Sequence, residues 1–378
     1  MRGGECSYPS VGGMPSLDRT PVYVLHDNPE WIPPLAEAFT AEGVELIEWP
    51  LTGGAIDLAA PPPPGVFWSR LSASSHTRGN VHAKEQARAT LRWLESHGRR
   101  VVGGSDVLEL EVSKVAQHAA LRGAGFDVPR TIAVFVSAEG ADPREQARTL
   151  QAPFITKHNQ GGKGLGVQRF DSHDEFDAAW EAGSVEQPVD GILLLQEYIA
   201  SAEPFITRAE FVGGQYLYAV RVDTSGGSFE LCPAEACALP QPGLAPATCA
   251  VPGAPDPDGP IVSASEPAAP EARPMFERRD DVDADHPLIT QLTAFLRAAG
   301  IEIAGVEFIE TADGRLVPYD INTNTNYNPD VESDGSVSGA RAVARFLGGL
   351  RGEAASGSNT DSPVADARGG LSPALALT

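Results

Sequence analysis

Residues 303–328 read IAGVEFIETADGRLVPYDINTNTNYN. Within this run, Asp313-Gly314 is typical of two-residue type I′ hairpin turns, because both central positions of such a turn need a positive φ that Asp and Gly tolerate. If Ala312 pairs with Arg315 across the turn, counting outward fixes the register of the two predicted strands. The expected cross-strand pairs are Phe308 with Tyr319, Glu307 with Asp320, and Val306 with Ile321.

This predicted hairpin has one apolar face and one acidic face. Side chains alternate along a strand, so Asn322 falls on the same side as Glu307 and Asp320. Two carboxylates directly opposite each other repel, which predicts a cation between them. All three side chains are oxygen donors, and these suit Mg²⁺ shared with a substrate's phosphates better than they suit zinc. The alternative is a surface hairpin with a solvated acidic face.

The length and charge of the chain exclude some classes of partner. With 378 residues, it can form two or three lobes. A formal net charge of -23 argues against binding of nucleic acid or of an anionic membrane by bulk electrostatics. The first residues lack the apolar core of a signal peptide, and no later run is apolar and long enough to span a bilayer. We therefore expect a soluble cytoplasmic protein.

Cysteine and lysine are both scarce. The four cysteines lack the short Cys-x-x-Cys spacing of many zinc sites, so they are either incidental thiols or a less regular zinc or redox cluster. Only four of the 28 basic residues are lysine, which suggests that lysine is kept where a compact ammonium is needed. The residues concerned are Cys6, Cys232, Cys237 and Cys249, and Lys84, Lys114, Lys157 and Lys163.

The N-terminal third has a βαβ rhythm. Strands are predicted at 21–26 and 44–49 around a helix at 30–42, and a further strand at 65–68 runs into a polar loop at 69–78. In open α/β sheets, ligands bind outside the carboxyl ends of the strands, where this loop is expected to lie. The loop either holds a carboxylate-bearing substrate or is simply solvated. Its candidate substrate residues are Arg70, His76 and Arg78.

Residues 154–170 predict a strand, a glycine-rich loop and a second strand. A P-loop or a dinucleotide-binding motif needs a helix after its glycines, and no helix pattern follows here. What remains is a hairpin tip rich in backbone N–H donors that folds over a triphosphate as a lid, with Lys157 reaching an inner phosphate. The alternative is a glycine-rich turn with no ligand. The predicted lid consists of Gly161, Gly162, Lys163, Gly164 and Gly166.

Residues 191–199 form an apolar strand that becomes polar at its end. Such a segment can offer backbone groups to an adenine edge, with Glu197 or Glu203 near the ribose, although strands of this kind are common. The candidate adenine-binding residues are Gln196, Glu197, Tyr198 and Ile199.

A second hairpin turns at Gly213-Gly214. Its strands carry Arg208 and Arg221, which either stabilise a transferred phosphoryl group or pair with surface carboxylates. Helices are predicted at about 286–299 and 338–347. The segment at 238–274 reads as a flexible loop, and 1–19 and 351–378 read as disordered tails.

The order of these parts resembles the ATP-grasp superfamily, and within it the carboxylate–amine ligases that include glutathione synthetase-like and ribosomal-protein glutamate ligase-like enzymes. The resemblance covers residues 20 to about 350. It implies an α/β and α+β fold in which a Rossmann-like domain at 20–112 precedes a two-lobed ATP-grasp domain at 113–350. The first lobe, 113–199, would carry the lid, and the second, 200–350, would bind metal and phosphate.

The resemblance also implies roles by position. Lys114 and Lys157 would contact inner phosphates of ATP, and Glu307, Asp320 and Asn322 would bind Mg²⁺ or Mn²⁺. The superfamily usually has Glu where this chain has Asp320, which shortens the reach to the metal by one methylene. The repeated asparagines that follow suggest that Asn324 completes the site or contacts the amine substrate.

The reaction implied is phosphorylation of a substrate carboxylate by ATP and attack of an amine on the acyl phosphate, giving an amide, ADP and phosphate. The expected substrate is an amino acid or small peptide. The protein would contribute positioning and charge neutralisation rather than a covalent nucleophile. Two alternatives stay open, namely an ATP-grasp kinase that stops at a phosphorylated product and a nucleotide-binding module without turnover.

Overall fold

The computed structural model describes residues 20–136, 140–162, 164, 166–226, 274–333 and 337–352. All four cysteines, Lys163, the predicted tails 1–19 and beyond 352, and nearly all of the predicted loop 238–274 lie outside the described residues. No helix in the described ranges is long and apolar enough to cross a membrane.

The N-terminal sheet is parallel and has the strand order β2-β1-β3-β4. Helices α1 and α2 pack on it through apolar side chains such as Phe39 and Leu91. This confirms the predicted Rossmann-like arrangement, and it brings the carboxyl ends of β1 and β3 to one edge. The elements are β1 (Val22–His26), α1 (Ile32–Ala41), β2 (Leu46–Pro50), β3 (Val66–Arg70), α2 (Ala83–Ser96) and β4 (Arg100–Val102).

The second sheet is antiparallel, with the order β5-β8-β6-β7. Its apolar core includes Phe154, Phe170 and Phe176, the last contributed by a helix. Two helices, α3 and α4, connect it to the first sheet. The elements are α3 (Ser105–Val112), α4 (Lys114–Gly123), β5 (Thr131–Phe135), α5 (Pro143–Ala147), β6 (Phe154–His158), β7 (Gln168–Phe170), α6 (His173–Glu181) and β8 (Ile192–Glu197).

The third sheet is also antiparallel, in the order β11-β10-β9-β12-β13. One face is covered by helix α7, and the last helix, α8, returns to pack on α1 of the first domain through Val343 and Leu347. The elements are β9 (Phe205–Val212), β10 (Gln215–Asp223), β11 (Phe276–Arg278), α7 (Pro287–Ala298), β12 (Ile303–Glu310), β13 (Leu316–Asn322) and α8 (Gly339–Gly349).

The hairpin of β12 and β13 differs from the prediction near its turn. The Thr311 N–H donates to the Arg315 carbonyl at 3.0 Å, and Gly314 has a φ of 81°, so three residues rather than two form the loop. The prediction that Ala312 pairs with Arg315 is therefore wrong. The added residue makes Phe308 pair with Pro318 instead of Tyr319.

A β-bulge at Tyr319 then restores the predicted register. Beyond it, Glu307 pairs with Asp320 and Val306 with Ile321. Pro318, directly before the bulge, lacks an N–H and lies on the edge strand of the sheet, where proline is tolerated. The two facing carboxylates are therefore placed by a turn and a bulge whose shifts cancel.

Helices α3 and α6 and strand β11 are among the elements for which the sequence gives no clear pattern. In α3 the apolar residues Leu108, Leu110 and Val112 alternate as they would in a strand. Helix α6 buries only Phe176, so it has almost no apolar stripe.

Candidate nucleotide and metal site

A cavity of about 340 Å³ lies between the second and third sheets. Strands β6 and β8 form one wall, and β9, β12 and β13 form the other. Apolar side chains line part of it, as is usual where a planar ring binds. They are Ile155, Val167, Ile199, Ile206 and Ile309.

Most of the predicted nucleotide-binding residues meet in this cavity, although they come from separate parts of the sequence. Those in its lining are Lys114, Lys157, Gly161, Gly162, Gly164, Gln196, Glu197, Tyr198 and Ile199, together with Glu307 and Asp320. Gly166, Glu203 and Asn322 lie outside the lining, and Glu203 is exposed. Lys163 lies outside the described residues.

Lys157 is the buried cation of the cavity. Its side chain projects from β6, the residue is only 5% exposed, and its Nζ lies 5.8 Å from the centroid of the Tyr319 ring. Burial and the nearby Lys114 lower the pKa of Lys157 to about 7, against the opposing effect of Asp320 and Glu307. In the described part of the chain Lys157 forms no ion pair. A polyphosphate in the cavity would supply the missing anion.

Lys114 is fixed at the first turn of α4. Ser113 caps this helix by accepting a hydrogen bond from the Ala116 N–H at 3.2 Å, and Asn159 accepts one from the Val115 N–H at 2.9 Å. The Lys114 ammonium forms an ion pair with Asp320. Burial lowers the pKa of Lys114, but the charge and hydrogen bond of Asp320, together with the charges of Glu111 and Glu307, outweigh burial, so the net shift is upward.

The two facing carboxylates have different partners. Glu307 accepts hydrogen bonds from the Tyr319 hydroxyl at 2.8 Å and from Arg208 at 3.3 Å. Burial and the Asp320 charge raise the pKa of Glu307. Burial also raises the pKa of Asp320, but Lys114 and Lys157 outweigh this and leave it lowered. A protein cation thus lies beside each acid, but only for Asp320 do the cations outweigh burial.

The donor set fits a hard divalent cation. It consists of the carboxylates of Glu307 and Asp320 and the amide of Asn322, whose Oδ1 accepts a hydrogen bond from the Asn324 N–H at 3.0 Å. No group of three or more His, Cys, Asp or Glu side chains that could hold a metal occurs in the described ranges. Two carboxylates completed by phosphate and water oxygens are typical of Mg²⁺.

The structure separates the two arginines predicted to act together. Arg208 pairs with Glu307 across β9 and β12 and hydrogen-bonds Glu210 at 2.7 Å and Thr325 at 2.6 Å. Arg221 pairs with Thr207 in the β9–β10 register, so it lies on the opposite face of the sheet, where its guanidinium stacks 4.5 Å from Phe205. The prediction that Arg221 shares a site with Arg208 is wrong, because the two side chains are out of phase.

This separation predicts different effects of the same substitution. We expect Arg208→Lys to lower ATP turnover about 100-fold, because a lysine cannot keep three directed hydrogen bonds beside the carboxylates. We expect Arg221→Lys to change turnover less than about threefold. Steady-state ADP release by the two purified variants measures both effects. Equal losses of turnover in the two variants would contradict the assignment of Arg208 and Arg221 to opposite faces of the sheet.

Tyr319 is a site residue that sequence reasoning missed. The alternating pattern placed it on the apolar face, but the bulge turns its ring into the cavity and its hydroxyl onto Glu307. The signal was Pro318, since a proline within a predicted strand often marks a bulge.

Replacing Tyr319 by phenylalanine keeps the ring and removes one hydrogen bond to Glu307, a predicted metal ligand. We expect the Mg²⁺ concentration for half-maximal turnover to rise about 10-fold, because hydrogen-bonded partners orient metal ligands. A metal titration at saturating ATP measures this. An unchanged midpoint would show that Glu307 is oriented without Tyr319.

The predicted substrate residues lie beside this site. Arg70 is buried, and it donates to the Thr325 carbonyl at 2.8 Å and to Asn326 Oδ1 at 2.7 Å. Arg78 forms an ion pair with Asp27 at 2.7 Å. In the described part of the chain, His76 Nδ1 and Asn324 Oδ1 are buried without a hydrogen-bond partner. The loop at 69–78 is therefore in contact with residues 323–328, the asparagine-rich loop that follows β13.

Solved structures of ATP-grasp proteins are similar to this chain over nearly their whole length. The RimK domain ATP-grasp protein of Sphaerobacter thermophilus has 18% identity and a TM-score of 0.56, covering 86% of this chain and 99% of that one. D-cycloserine synthetase DcsG has 18% identity and a TM-score of 0.56, covering 87% and 99%. The ATP-grasp ligase PsnB, in a complex with a phosphomimetic variant of minimal precursor, Mg and ADP, has 16% identity and a TM-score of 0.57, covering 88% and 99%. No protein-family model and no curated protein matches the sequence.

Proposed function

Because the chain has the ATP-grasp fold, we propose that it is an ATP-dependent carboxylate–amine ligase that forms an amide or peptide bond on an amino acid or small peptide. One observation carries the proposal. The facing acids Glu307 and Asp320 share a cavity with the cations Lys114 and Lys157, between two sheets. This is the charge pattern that a metal–triphosphate complex would complete.

ATP would lie with its adenine among the apolar residues of the cavity and its phosphates toward the lysines. Glu307, Asp320 and Asn322 would hold Mg²⁺ or Mn²⁺. When bound, the metal would neutralise negative charge on the phosphates. Two structural neighbours support a small or peptidic substrate, since one is a D-cycloserine synthetase and another was solved with a precursor peptide.

The residues of the chain would act by position and charge. A bound polyphosphate favours the protonated form of Lys157, whose pKa lies near neutrality, so its Nζ would take up a proton as nucleotide binds. Arg208 would stabilise negative charge that develops on the transferred phosphoryl group. A substrate carboxylate oxygen would attack the γ-phosphorus and release ADP. An amine would then attack the acyl carbon, release phosphate and lose a proton.

The test supplies the purified chain with ATP, Mg²⁺ and a panel of amino acids and amines, and follows ADP, phosphate and product mass. We expect phosphate release that needs both an acid and an amine, and hydroxylamine should trap the acyl phosphate as a hydroxamate. A stable phosphorylated product without amine would indicate a kinase. Nucleotide binding without ADP across the panel would indicate a binding module.

A further inference from the structure

Two buried charged residues at the edge of the N-terminal sheet each have unused hydrogen-bonding atoms. Asp27 directly follows β1, and Arg70 ends β3. His26, the last residue of β1, pairs with Arg70 across the two parallel strands, so Asp27 and Arg70 lie at the same edge. In open α/β sheets, ligands bind at the carboxyl ends of such strands.

Arg70 uses only part of its guanidinium. Its Nη2 donates to the asparagine-rich loop, whereas its Nε and Nη1 are buried and have no hydrogen-bond partner among the residues that the structure describes. The residue is 1% exposed. Leaving donors of a buried cation unpaired is costly, and native proteins rarely do so without a ligand or water.

Asp27 has an unused hydrogen-bond acceptor, whereas Arg70 has unused donors. Its Oδ2 accepts from Arg78 at 2.7 Å and 3.1 Å, but within the described ranges its Oδ1 is buried with no donor. No ion pair joins Asp27 to Arg70 in that part of the chain. Free donors and a free acceptor therefore stand at one edge without satisfying each other.

Arg70 and Arg78 both lie against the indole ring of Trp31. The guanidinium carbons of Arg70 and Arg78 lie 5.5 Å and 4.8 Å from the centroid of Trp31. Trp31 and Arg78, the neighbours of the buried pair, are themselves partly exposed. Trp31 also offers a spectroscopic probe.

This edge is connected to the proposed phosphoryl site. Arg70 donates to the Thr325 carbonyl, the Thr325 hydroxyl accepts from Arg208, and Arg208 donates to Glu307. A Cβ added at Gly162, a residue of the predicted lid, would lie 3.7 Å from Ser74 Cβ, so Gly162 lies beside the loop at 69–78. A ligand bound at Asp27 and Arg70 would be linked to Glu307 through Thr325 and Arg208.

We propose that Asp27 and Arg70 form the site of a free α-amino acid, with its carboxylate on Arg70 Nε and Nη1, its ammonium on Asp27 Oδ1, and its carbon skeleton against Trp31. The class follows from the pair of unused groups, since one ligand that pairs with both charges carries a carboxylate and an ammonium. The planar guanidinium fork matches a carboxylate. The assignment rests on the proposed ligase function, in which this amino acid would be one of the two substrates.

The test measures equilibrium binding to the full chain by calorimetry and by tryptophan fluorescence, to which Trp31 contributes, with and without ADP and Mg²⁺. Each common L-α-amino acid is titrated, and the tightest one is compared with its N-acetyl and carboxamide derivatives. We expect each derivative to bind about 10- to 100-fold more weakly, because each loses a charge-assisted hydrogen bond. Arg70→Lys and Asp27→Asn should each weaken binding of the free amino acid to a similar extent.

Arg92→Gln is the matched control, since Arg92 is an exposed arginine of the same domain that pairs with Glu95 and Asp106. It should bind the amino acid like the wild type. If either site variant fails to bind ADP with Mg²⁺ or loses its fold, the two derivatives tested on the wild type decide the matter.

Binding of ADP with Mg²⁺ but of no free amino acid would overturn the amino-acid site and leave the ligase proposal standing. Equal affinity for the blocked derivatives would also overturn it. Binding of the amino acid that depends on Arg70, in a chain that binds no nucleotide, would support the site and contradict the ligase proposal.

Discussion

Replacing Lys157 by methionine is expected to reduce ATP turnover by about 10²- to 10³-fold, the loss typical when a preorganised charge is removed from a phosphoryl-transfer site. Lys157 is the buried cation that projects into the cavity without an ion pair in the described ranges. Methionine fills a similar volume but offers no charge to a phosphate. Steady-state ADP release and binding of an ATP analogue measure the effect.

The same substitution should stabilise the ligand-free protein near neutral pH. The folded pKa of Lys157, about 7, lies below its ordinary value of 10.5, so the unfolded chain binds more protons between these values. The contribution of Lys157 to stability therefore rises with pH from about 7 to about 10.5. Denaturant unfolding without nucleotide should show the variant to be more stable at the low end of this window, with the difference closing at the high end.

Thr156→Val controls for damage to the strand. Thr156 neighbours Lys157 on β6, is buried and does not line the cavity. It should keep turnover within about threefold of the wild type. Full turnover by Lys157→Met would show that this lysine does not contact the nucleotide.

Replacing Asp320 by asparagine is expected to abolish metal-dependent ATP turnover, with a loss of at least about 10³-fold. The substitution removes one of two facing carboxylates and leaves Lys114 without its anion. Turnover is measured across a range of Mg²⁺ and Mn²⁺ concentrations, and circular dichroism checks the fold.

Two further variants sharpen this result. Asp320→Glu introduces the residue that is usual in the ATP-grasp superfamily, which the sequence resembles. This variant should retain turnover with a changed preference between Mg²⁺ and Mn²⁺. Asp313→Asn makes the same substitution at the exposed tip of the same hairpin and should behave like the wild type. Retained turnover in Asp320→Asn would remove this carboxylate from the site.

The sequence predicted the facing acids correctly for an incomplete reason. Counting from a two-residue turn gave the pair Glu307 and Asp320, but the true loop has three residues, and a bulge at Tyr319 offsets the added one. Alternation alone does not reveal such a compensation, because an extra loop residue and a bulge each shift the register by one. The same bulge hid Tyr319.

The lysines and the glycine-rich turn were found because their chemistry is local. Lys114 follows a capping serine, and Lys157 lies near the end of β6, shortly before the glycine-rich turn. Residue type and spacing therefore suffice. Arg221 was misplaced because its role depended on the phase of β10 relative to β9, which the sequence of one hairpin does not determine.

The contact between the N-terminal sheet and the asparagine-rich loop is a tertiary feature. Arg70 and Asn326 are 256 residues apart and are joined by a 2.7 Å hydrogen bond. The hydrophobic periodicity of neither segment predicts that the two segments are in contact. Sequence reasoning indicated Arg70 as a candidate substrate residue but not Asp27, whose unpartnered buried oxygen is a property of the folded chain.

A crystal structure of the chain with Mg²⁺ and a non-hydrolysable ATP analogue tests the central claim most directly. We predict the nucleotide in the cavity between the second and third sheets, with its phosphates on Lys114 and Lys157 and the metal on Glu307 and Asp320. A nucleotide bound elsewhere, or a metal that contacts neither acid, would contradict the account.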